Sequence, residues 1–268
     1  MDEITKRAAN RALSYQTSAS SSPRPGSTVA ILAPSDLEMF TCLFALSRMG
    51  YTVMLLSPRL AAEACVSLLD KVECTTIFHA ETVHIHSTMQ GIQRIKRIPY
   101  HPIPSMEVIS RIDAAAILGE SYRDPGQTAI IVHSSGSTGT PKPLFLSHRA
   151  LMTVPLKGSG LTVFNPLPWF HLYGIVTTFQ AFWKRKTCFA WNARLPMTGP
   201  GLISALQASS PESMRTVPYI LQLLADAEGG IEVLKPCKSI VVGGAQCPDE
   251  LGDKLASQGV RIGVSFGS

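Results

Sequence analysis

The chain has 268 residues, of which 45% are hydrophobic and 16% are charged, and its formal net charge is +5. This composition excludes an intrinsically disordered chain, and the length provides a hydrophobic core that needs no disulfide framework. The charge is mild and the densest basic run spans only residues 94–97, which excludes a nucleic-acid-binding arm.

The chain is predicted to consist of a flexible N-terminal segment, 1–27, and one partial domain, 28–268. The stretch 16–27 is rich in Ser, Pro and Gly, and this composition is typical of a flexible linker. An apolar run at 28–33 follows, with the length and composition of a buried parallel strand. The ordered chain is therefore expected to begin at Thr28.

Strands and helices are predicted to alternate from there to the end of the chain. Ser35 and Glu38 form a capping-box pattern that predicts the first helix, and Gly50 is expected to end that helix. Apolar runs and helical spacing predict further strands at 52–56, 76–79, 128–133, 238–242 and 261–265, and further helices at 61–71, 172–183 and from Pro248 onwards. The alternation predicts an α/β fold of layered, mostly parallel sheets with flanking helices.

The histidines and cysteines do not predict a metal site. The six cysteines are scattered without a C-x-x-C pair, so free thiols are expected. His84 and His86 alternate on a predicted strand, but no third ligand accompanies them. Cys247 precedes a predicted helix N-terminus, which favours a thiolate, yet no paired base is visible, so we interpret it as structural.

No signal peptide or membrane span is predicted. The N-terminus carries acidic residues and lacks an apolar core, and no window of 18 residues is uninterruptedly apolar. We therefore expect a cytoplasmic protein with neither a membrane nor a nucleic acid as partner.

The segment with the clearest chemistry is the run SSGSTGTPK at 134–142, directly after the predicted strand 128–133. Glycine lets backbone N–H groups turn toward an anion, the hydroxyls are further donors, and Lys142 adds a mobile positive charge. The run does not match a Walker loop, and its structural alternative is a Ser/Gly hairpin. The pattern predicts a triphosphate-binding loop formed by Ser134, Ser135, Gly136, Ser137, Thr138, Gly139, Thr140 and Lys142.

This run closely resembles the phosphate-binding signature of the adenylate-forming enzymes, the superfamily of acyl-CoA synthetases, luciferases and nonribosomal-peptide adenylation domains. Three later segments resemble motifs of this superfamily in the same order: PLPWFHLYG at 166–174, VGGAQCP at 242–248 and SFGS at 265–268. Pro143, together with SHRA at 147–150, makes the chain most similar to the fungal nonribosomal-peptide-synthetase-like carboxylate reductases. The resemblance covers 28–268 and implies part of an adenylation domain.

The resemblance implies that a carboxylate attacks the α-phosphate of ATP, which gives an acyl-adenylate and pyrophosphate, and that the acyl group then passes to a thiol such as a phosphopantetheine arm. It implies catalytic roles for Lys142 and for His171 at the edge of the acyl pocket. It also implies that Phe266 stacks on adenine, where the superfamily usually has Tyr. The implied nucleotide-binding residues beyond the loop are Gly243, Gly244, Ala245, Ser265, Phe266 and Gly267.

Each of these residues also has a structural interpretation. Taken alone, His171 is typical of an ordinary core or surface histidine, and Gly243 and Gly244 are typical of a left-handed turn. Phe266 is equally typical of an aromatic residue at the end of a strand.

The resemblance also implies residues that the given sequence lacks. The superfamily's Thr-Glu pair, ribose-binding Asp and catalytic Lys are expected after Ser268, and the Glu is the expected Mg²⁺ ligand. We therefore expect a truncated adenylation domain that is inactive alone, with no metal ligands of its own. The expected cofactors are ATP or AMP, with Mg²⁺ held weakly through the phosphates.

The expected partners are a carboxylic acid substrate and a carrier protein or a separate C-terminal polypeptide, in secondary-metabolite biosynthesis. The identity of the acid is not predicted. Two other functions stay open at this point. One is a non-catalytic nucleotide-binding remnant or partner subunit, and the other is a phosphotransferase of unrelated fold.

Overall fold

The computed structural model describes residues 7–8, 10–12, 15, 24–104, 124–134 and 141–266. The chain divides into two compact units, Met1–Ala150 and Leu151–Ser268. Each unit has its own β-sheet with helices beside it. The predicted α/β class with layered, mostly parallel sheets and flanking helices is therefore confirmed.

In the described part of the first unit, six strands form one sheet in the order β4-β3-β1-β2-β5-β6. Neighbouring strands are parallel except for β5 and β6, which are antiparallel. The bounds of these elements are β1 Thr28–Leu32, α1 Leu37–Arg48, β2 Thr52–Leu56, α2 Ala62–Lys71, β3 Thr76–His79, α3 Val83–Ile95, β4 Tyr100–Pro102, β5 Thr128–His133 and β6 Pro143–Ser147. The central strands are buried along nearly their whole length, as expected for a sheet covered on both faces.

The first helix, α1, begins one residue later than the capping box predicts. Asp36, not Ser35, is the N-cap residue, and its carboxylate accepts a hydrogen bond from the Met39 backbone N–H at 3.0 Å. An extended backbone at Asp36 allows this contact, which satisfies one of the free N–H groups of the first turn. At the other end Gly50 has a φ of +99°, so the predicted glycine stop is confirmed.

Part of the segment 1–27, predicted to be flexible, packs into the first unit. Arg11 is buried and its guanidinium donates to the Pro104 carbonyl at 2.7 Å. Tyr15 is also buried, with its hydroxyl 3.3 Å from the Cys42 sulfur and its ring 4.7 Å from that of Phe78. These contacts are made by two of the described residues of the segment 1–27, whose flexibility as a whole stays a prediction.

The helix α3 corrects the prediction of a strand around His84 and His86. Its N-cap residue is Thr82, whose hydroxyl accepts from the Ile85 backbone N–H, and its buried residues Ile85, Met89 and Ile92 recur at helical spacing. Residues two apart point to different sides of a helix, so the two histidines do not form a pair. The His84 ring is 2.7 Å from the Pro58 carbonyl oxygen, whereas the His86 ring is 3.1 Å from the Gln90 amide.

In the described part of the second unit, five strands form a sheet in the order β11-β10-β9-β7-β8, with all neighbours parallel. Helix α4, His148–Thr153, contains the boundary between the units. The remaining elements are β7 Val163–Asn165, α5 Leu172–Trp183, β8 Cys188–Ala190, α6 Gly199–Ser209, β9 Ser213–Thr216, α7 Pro218–Ala225, β10 Ser239–Val242, α8 Asp249–Ser257 and β11 Ile262–Val264, with short 3₁₀ turns at Val154–Lys157 and Glu232–Leu234. The core of this unit includes the buried side chains of Phe164, Met214 and Leu221. Among the helices of the described ranges, none combines the length and the apolar character needed to cross a membrane.

The position of the α1 cap can be tested by substitution at Asp36. We expect Asp36→Ala to lower the free energy of unfolding by about 0.5–2 kcal/mol, because it removes the acceptor for the Met39 N–H. Asp36→Asn keeps a side-chain oxygen and should retain most of the stability. Urea unfolding of the three proteins measures the difference, and equal losses for Ala and Asn would contradict the capping role.

Candidate functional site

The Ser/Gly-rich loop joins the antiparallel strands β5 and β6, in which His133 lies opposite Pro143. Two hydrogen bonds close its neck: the Ser134 backbone N–H donates to the Lys142 carbonyl at 3.0 Å, and the Lys142 N–H donates to the Ser134 hydroxyl at 3.2 Å. The two described ends of the loop are therefore held side by side. The Ser134 amide is already paired with protein, so it is not a donor for a ligand, although its hydroxyl hydrogen is not used by this contact.

The predicted phosphate-binding residues inside the loop lie outside the described residues: Ser135, Gly136, Ser137, Thr138, Gly139 and Thr140. The two predicted residues at the neck, Ser134 and Lys142, are described. The Lys142 side chain is exposed, and its ammonium makes no hydrogen bond or ion pair within the described part of the chain. Its positive charge therefore stands at the foot of the loop, where an anion can reach it.

A second lysine holds the C-terminal end of the loop. The Lys71 ammonium, at the end of α2, donates to the Pro141 carbonyl at 3.3 Å. Pro141 itself is buried, so the contact fixes a residue that already packs against protein. Lys71 thus positions the neck and brings another positive charge to the same place.

The imidazole of His133 links the loop to the chain after β2. Its Nε2 accepts a hydrogen bond from the Ser57 backbone N–H at 3.1 Å, so the ring proton is on Nδ1, which donates to the Ser134 carbonyl at 3.3 Å. Burial lowers the pKa of His133, and the hydrogen bond to Ser134 opposes that shift. A neutral histidine with one defined tautomer therefore positions the first residue of the loop.

In the second unit, His171 is the N-cap residue of α5. Its backbone N–H donates to the Pro168 carbonyl and its carbonyl accepts from the Ile175 N–H, both at 3.2 Å. The ring is half-buried, with its centroid 4.9 Å from that of Phe170. The backbone thus fixes His171 at the start of a helix while part of its imidazole faces solvent.

The buried side chain of Asn165 ties the end of β7 to the first turns of α5. Its amide nitrogen donates to the Gly174 carbonyl at 2.9 Å and to the Thr178 hydroxyl at 3.1 Å, and its oxygen accepts from the Leu167 N–H at 3.3 Å. Gly174 packs so tightly that an added Cβ would lie 2.2 Å from the Pro168 carbonyl oxygen. The glycine that ends the run 166–174 is therefore required by contact with the segment that carries His171.

Tyr173 connects this segment to the carboxyl ends of the central strands. Its hydroxyl donates to the Val241 carbonyl at 2.9 Å, and burial raises its pKa to about 12, against the opposing charge of Arg215. A Cβ on Gly243 would lie 3.1 Å from the Tyr173 ring and 3.2 Å from the Ser265 carbonyl. The predicted residues Gly243 and Ser265 are therefore neighbours at one edge of the sheet, and a Cβ at 243 would need its neighbours to shift by a few tenths of an ångström.

The other predicted nucleotide-binding residues of this unit are exposed. Gly244 has a φ of +77°, which agrees with the left-handed turn interpretation, and Ala245 follows it on the surface. Phe266 is 99% exposed, so its ring is available for stacking, as both the adenine prediction and the strand-end alternative allow. Gly267 lies outside the described residues.

Neither a metal centre nor an activated thiol is formed by the described residues. Within those ranges no group of three or more His, Cys, Asp or Glu side chains could hold a metal ion, and the six cysteines are free thiols. The pKa of Cys247 is raised by burial and by the nearby charge of Asp249. The structural interpretation of Cys247 therefore agrees with its surroundings.

The family model for AMP-binding enzymes matches residues 21–268. The chain belongs to this family. Among curated relatives it is 27% identical over 263 residues to an adenylate-forming reductase of Aspergillus terreus and 22% identical over 277 residues to a carboxylic acid reductase of Neurospora crassa. These matches cover 90% and 94% of the chain but 24% and 26% of the relatives. The chain thus spans about a quarter of the length of these relatives.

Solved structures of the AMP-binding fold also resemble the chain. A luciferase-like enzyme from the mealworm Zophobas morio matches with a TM-score of 0.82 and 19% identity, over 98% of the chain and 64% of that protein. ATP-bound MatB from Rhodopseudomonas palustris matches with a TM-score of 0.78 and 15% identity, over 99% of the chain and 54% of that protein. The likeness establishes the fold of this AMP-binding protein.

Four residues that position the candidate site were not predicted: His133, Lys71, Asn165 and Tyr173. The sequence contains a signal for two of these residues, because His133 ends the strand before the loop and Asn165 directly precedes the run 166–174. Lys71 had none, since its contact with Pro141 joins residues 70 positions apart.

The neutral state of His133 predicts a stability that falls in mild acid. Its folded pKa is lowered, so as the pH drops below about 6.5 the unfolded chain takes up the proton first and the free energy of unfolding decreases toward the folded pKa. His133→Gln should flatten this dependence, whereas replacing the exposed His86 by Gln should not. Urea unfolding between about pH 5 and about pH 8 measures it, and identical pH profiles for the wild type and His133→Gln would refute the assignment.

The contact at Gly174 predicts a large effect of one methyl group. We expect Gly174→Ala to lower the free energy of unfolding by about 1–3 kcal/mol or more, because the Cβ would meet a backbone oxygen that cannot move aside. The matched control is Gly252→Ala in α8, where a Cβ meets nothing within 4 Å and alanine should stabilise by about 0.5–1 kcal/mol. Thermal unfolding of both variants tests the contrast.

Proposed function

We propose that this AMP-binding protein contributes the ATP-binding part of a carboxylate-activating enzyme that forms acyl-adenylates. The observation that carries the proposal is the Lys142 ammonium, exposed and without a protein partner in the described ranges, at the closed neck of a Ser/Gly-rich loop. The curated relatives support it, since one is an adenylate-forming reductase.

The residues at the neck fit a polyphosphate. Lys142 offers a charged donor, and Ser134 retains a hydroxyl hydrogen after accepting from the Lys142 N–H. Lys71 adds positive charge at the other side of the neck. His133 and Lys71 hold the two ends of the loop before a ligand arrives, which lowers the entropic cost of binding.

In the proposed reaction, a carboxylate oxygen of the acid attacks the α-phosphorus of ATP. The bond from that phosphorus to the oxygen of the β-phosphate breaks, and pyrophosphate leaves with the electron pair. Lys142 would bind the β- and γ-phosphates and stabilise the charge on the leaving group. Orientation of the two anions, rather than a protein nucleophile, supplies most of the rate enhancement.

The second unit supplies the candidate contacts for the acid and the nucleoside. His171, held at the start of α5 by its backbone contacts, would bind near the carboxylate. Gly243, Gly244, Ala245 and Ser265 would border the adenine and acyl groups, and Phe266 would stack on the base. Mg²⁺ would be held through the phosphates, since phosphate oxygens are hard ligands that suit this ion.

Transfer of the acyl group to a thiol on a carrier protein or on a separate C-terminal polypeptide completes the proposed function. The second candidate function is a non-catalytic nucleotide-binding remnant or partner subunit, for which nucleotide binding at the exposed Lys142 would suffice.

Calorimetric titration tests the ATP site directly. We expect ATP to bind the chain, and Lys142→Ala to weaken binding by about 10- to 100-fold, because one charge-assisted contact is lost. The matched control is Lys157→Ala, which removes an exposed lysine in the 3₁₀ turn after α4. Absence of ATP binding, or equal binding by both variants, would contradict the proposal.

Product analysis separates the candidate functions. Acid-dependent exchange of pyrophosphate into ATP, tested with a broad panel of carboxylic acids, supports adenylate formation. ATP binding without exchange by the chain, and also without exchange when a C-terminal adenylation subdomain is supplied, supports the non-catalytic function. Release of ADP rather than AMP would indicate a phosphotransferase instead.

A further inference from the structure

Positive charge is concentrated in one part of the sequence. Between Asp124 and Glu212 the chain contains no acidic residue, whereas it contains seven lysines and arginines. The formal charge of this stretch is therefore +7, although that of the whole chain is +5. A surface formed by this stretch attracts anions over a longer distance than a surface on which both signs alternate.

Three of these cations are adjacent at the end of α5. Lys184, Arg185 and Lys186 directly follow the last residue of the helix. The Lys186 backbone N–H donates to the Ala181 carbonyl at 2.9 Å and Arg185 has a φ of +53°, so a tight turn holds the three residues together. Their side chains make no hydrogen bond or ion pair with other described residues. The C-terminal end of a helix favours a nearby cation, but it does not require three of them.

Large apolar side chains are exposed beside these cations. Trp183 is 52% exposed in the last turn of α5. The 3₁₀ turn Val154–Lys157 packs against α5, and in this turn Leu156 is 52% exposed. Gly158, directly after the turn, lies so close to Lys184 that an added Cβ would be 3.2 Å from the lysine Cγ. The turn therefore meets the end of the helix, and together they form what we call the α5-end surface: Leu156, Trp183, Lys184, Arg185 and Lys186.

The charge of one described carboxylate, that of Glu212, reaches this surface through its interaction with Lys186. Glu212 is already held by Lys238 at 2.6 Å and accepts from the Thr162 backbone N–H at 2.9 Å. These two contacts lower the pKa of Glu212 to about 2. Because Lys238 balances this carboxylate, the α5-end surface keeps a net positive charge.

The mixture of side chains on the α5-end surface indicates the kind of partner. A nucleic acid would use the cations and the indole ring, but it would leave the aliphatic Leu156 without a contact. Protein interfaces are depleted in lysine, which supplies two of the three cations here. The headgroup layer of a membrane suits all of these groups, because lysine places its stem in apolar surroundings and its ammonium in water, and tryptophan favours the same depth.

We propose that the α5-end surface attaches this protein to membranes that contain anionic lipids. Lys184, Arg185 and Lys186 bind the negative headgroups, while Trp183 and Leu156 enter the boundary between headgroups and acyl chains. The sequence predicts no membrane partner because it lacks a membrane span, but attachment at the surface needs no span. The inference goes beyond the proposed function and does not depend on it.

Cosedimentation with vesicles tests the attachment. We expect the chain to bind vesicles of equimolar phosphatidylcholine and phosphatidylserine, to bind phosphatidylcholine vesicles at least tenfold more weakly, and to lose affinity as the salt concentration rises. Replacing Lys184, Arg185 and Lys186 together by Gln should weaken binding by about fivefold per cation, or about 100-fold in all.

A matched control removes the same charge elsewhere in the second unit. Lys235, Lys254 and Arg261 lie on the segments around β10 and β11, at the sheet edge opposite β8. Replacing these three together by Gln should weaken vesicle binding by less than about threefold, because they are distant from the α5-end surface.

Tryptophan fluorescence gives a second readout that removes no charge. We expect the anionic vesicles to shift the emission to shorter wavelength, because the indole of Trp183 leaves water for the headgroup layer. Trp183→Phe should abolish the shift. The control Trp191→Phe should retain it, since the Trp191 ring packs against Gly201 and its Nε1 donates to the Leu195 carbonyl at 3.3 Å.

Four results would overturn the inference. Two are equally tight binding to phosphatidylcholine vesicles and equal losses of binding for the two triple variants. A third is a fluorescence shift that survives in Trp183→Phe. The fourth is tighter binding of a single-stranded oligonucleotide or of polyglutamate than of the anionic vesicles, which would assign the surface to a nucleic acid or to an acidic protein instead.

Discussion

The hydrogen-bonded neck between Ser134 and Lys142 determines what the Ser/Gly-rich loop can do. Ser134 comes directly after β5 and Lys142 directly before β6. The antiparallel register of these two strands therefore fixes the two ends of the loop. Closing a loop on a rigid base removes much of the conformational freedom that anion binding would otherwise have to remove. His133 extends this order to Ser57, because its two ring nitrogens contact both segments at once.

A comparable constraint organises the second unit around α5. Gly174 lies against the Pro168 carbonyl and Asn165 bridges three backbone and side-chain groups, so the segment with His171 can take only one path onto the helix. Tyr173 then fixes the same helix to β10 through Val241. Close packing of this kind fixes the position of the half-exposed His171, since its backbone cannot shift without breaking several contacts.

The sequence predicts local features well and long-range contacts poorly. Strands such as β1, β2 and β5 are apolar runs with clear ends. Gly50 ends α1 through its own positive φ, so this prediction needs no information about distant residues. The sequence predicts Ser35 as the N-cap residue of α1, whereas the structure has Asp36. Two adjacent residues can both cap the helix, and the geometry of the preceding turn selects one of them. His84 and His86 alternate like strand residues, yet Ile85, Met89 and Ile92 form the buried stripe of a helix. The partners of Lys71 and Arg11 carry no local signal at all.

Arg215 shows how one buried side chain can lower the stability of the fold. A buried guanidinium nitrogen without an acceptor destabilises the folded chain, and an apolar residue at the same place on β9 would pack without that penalty. Thr177 also forgoes the backbone contact that other threonines of the chain make. Both atoms are screened from solvent, so each leaves a polar group unsatisfied inside the described part of the second unit.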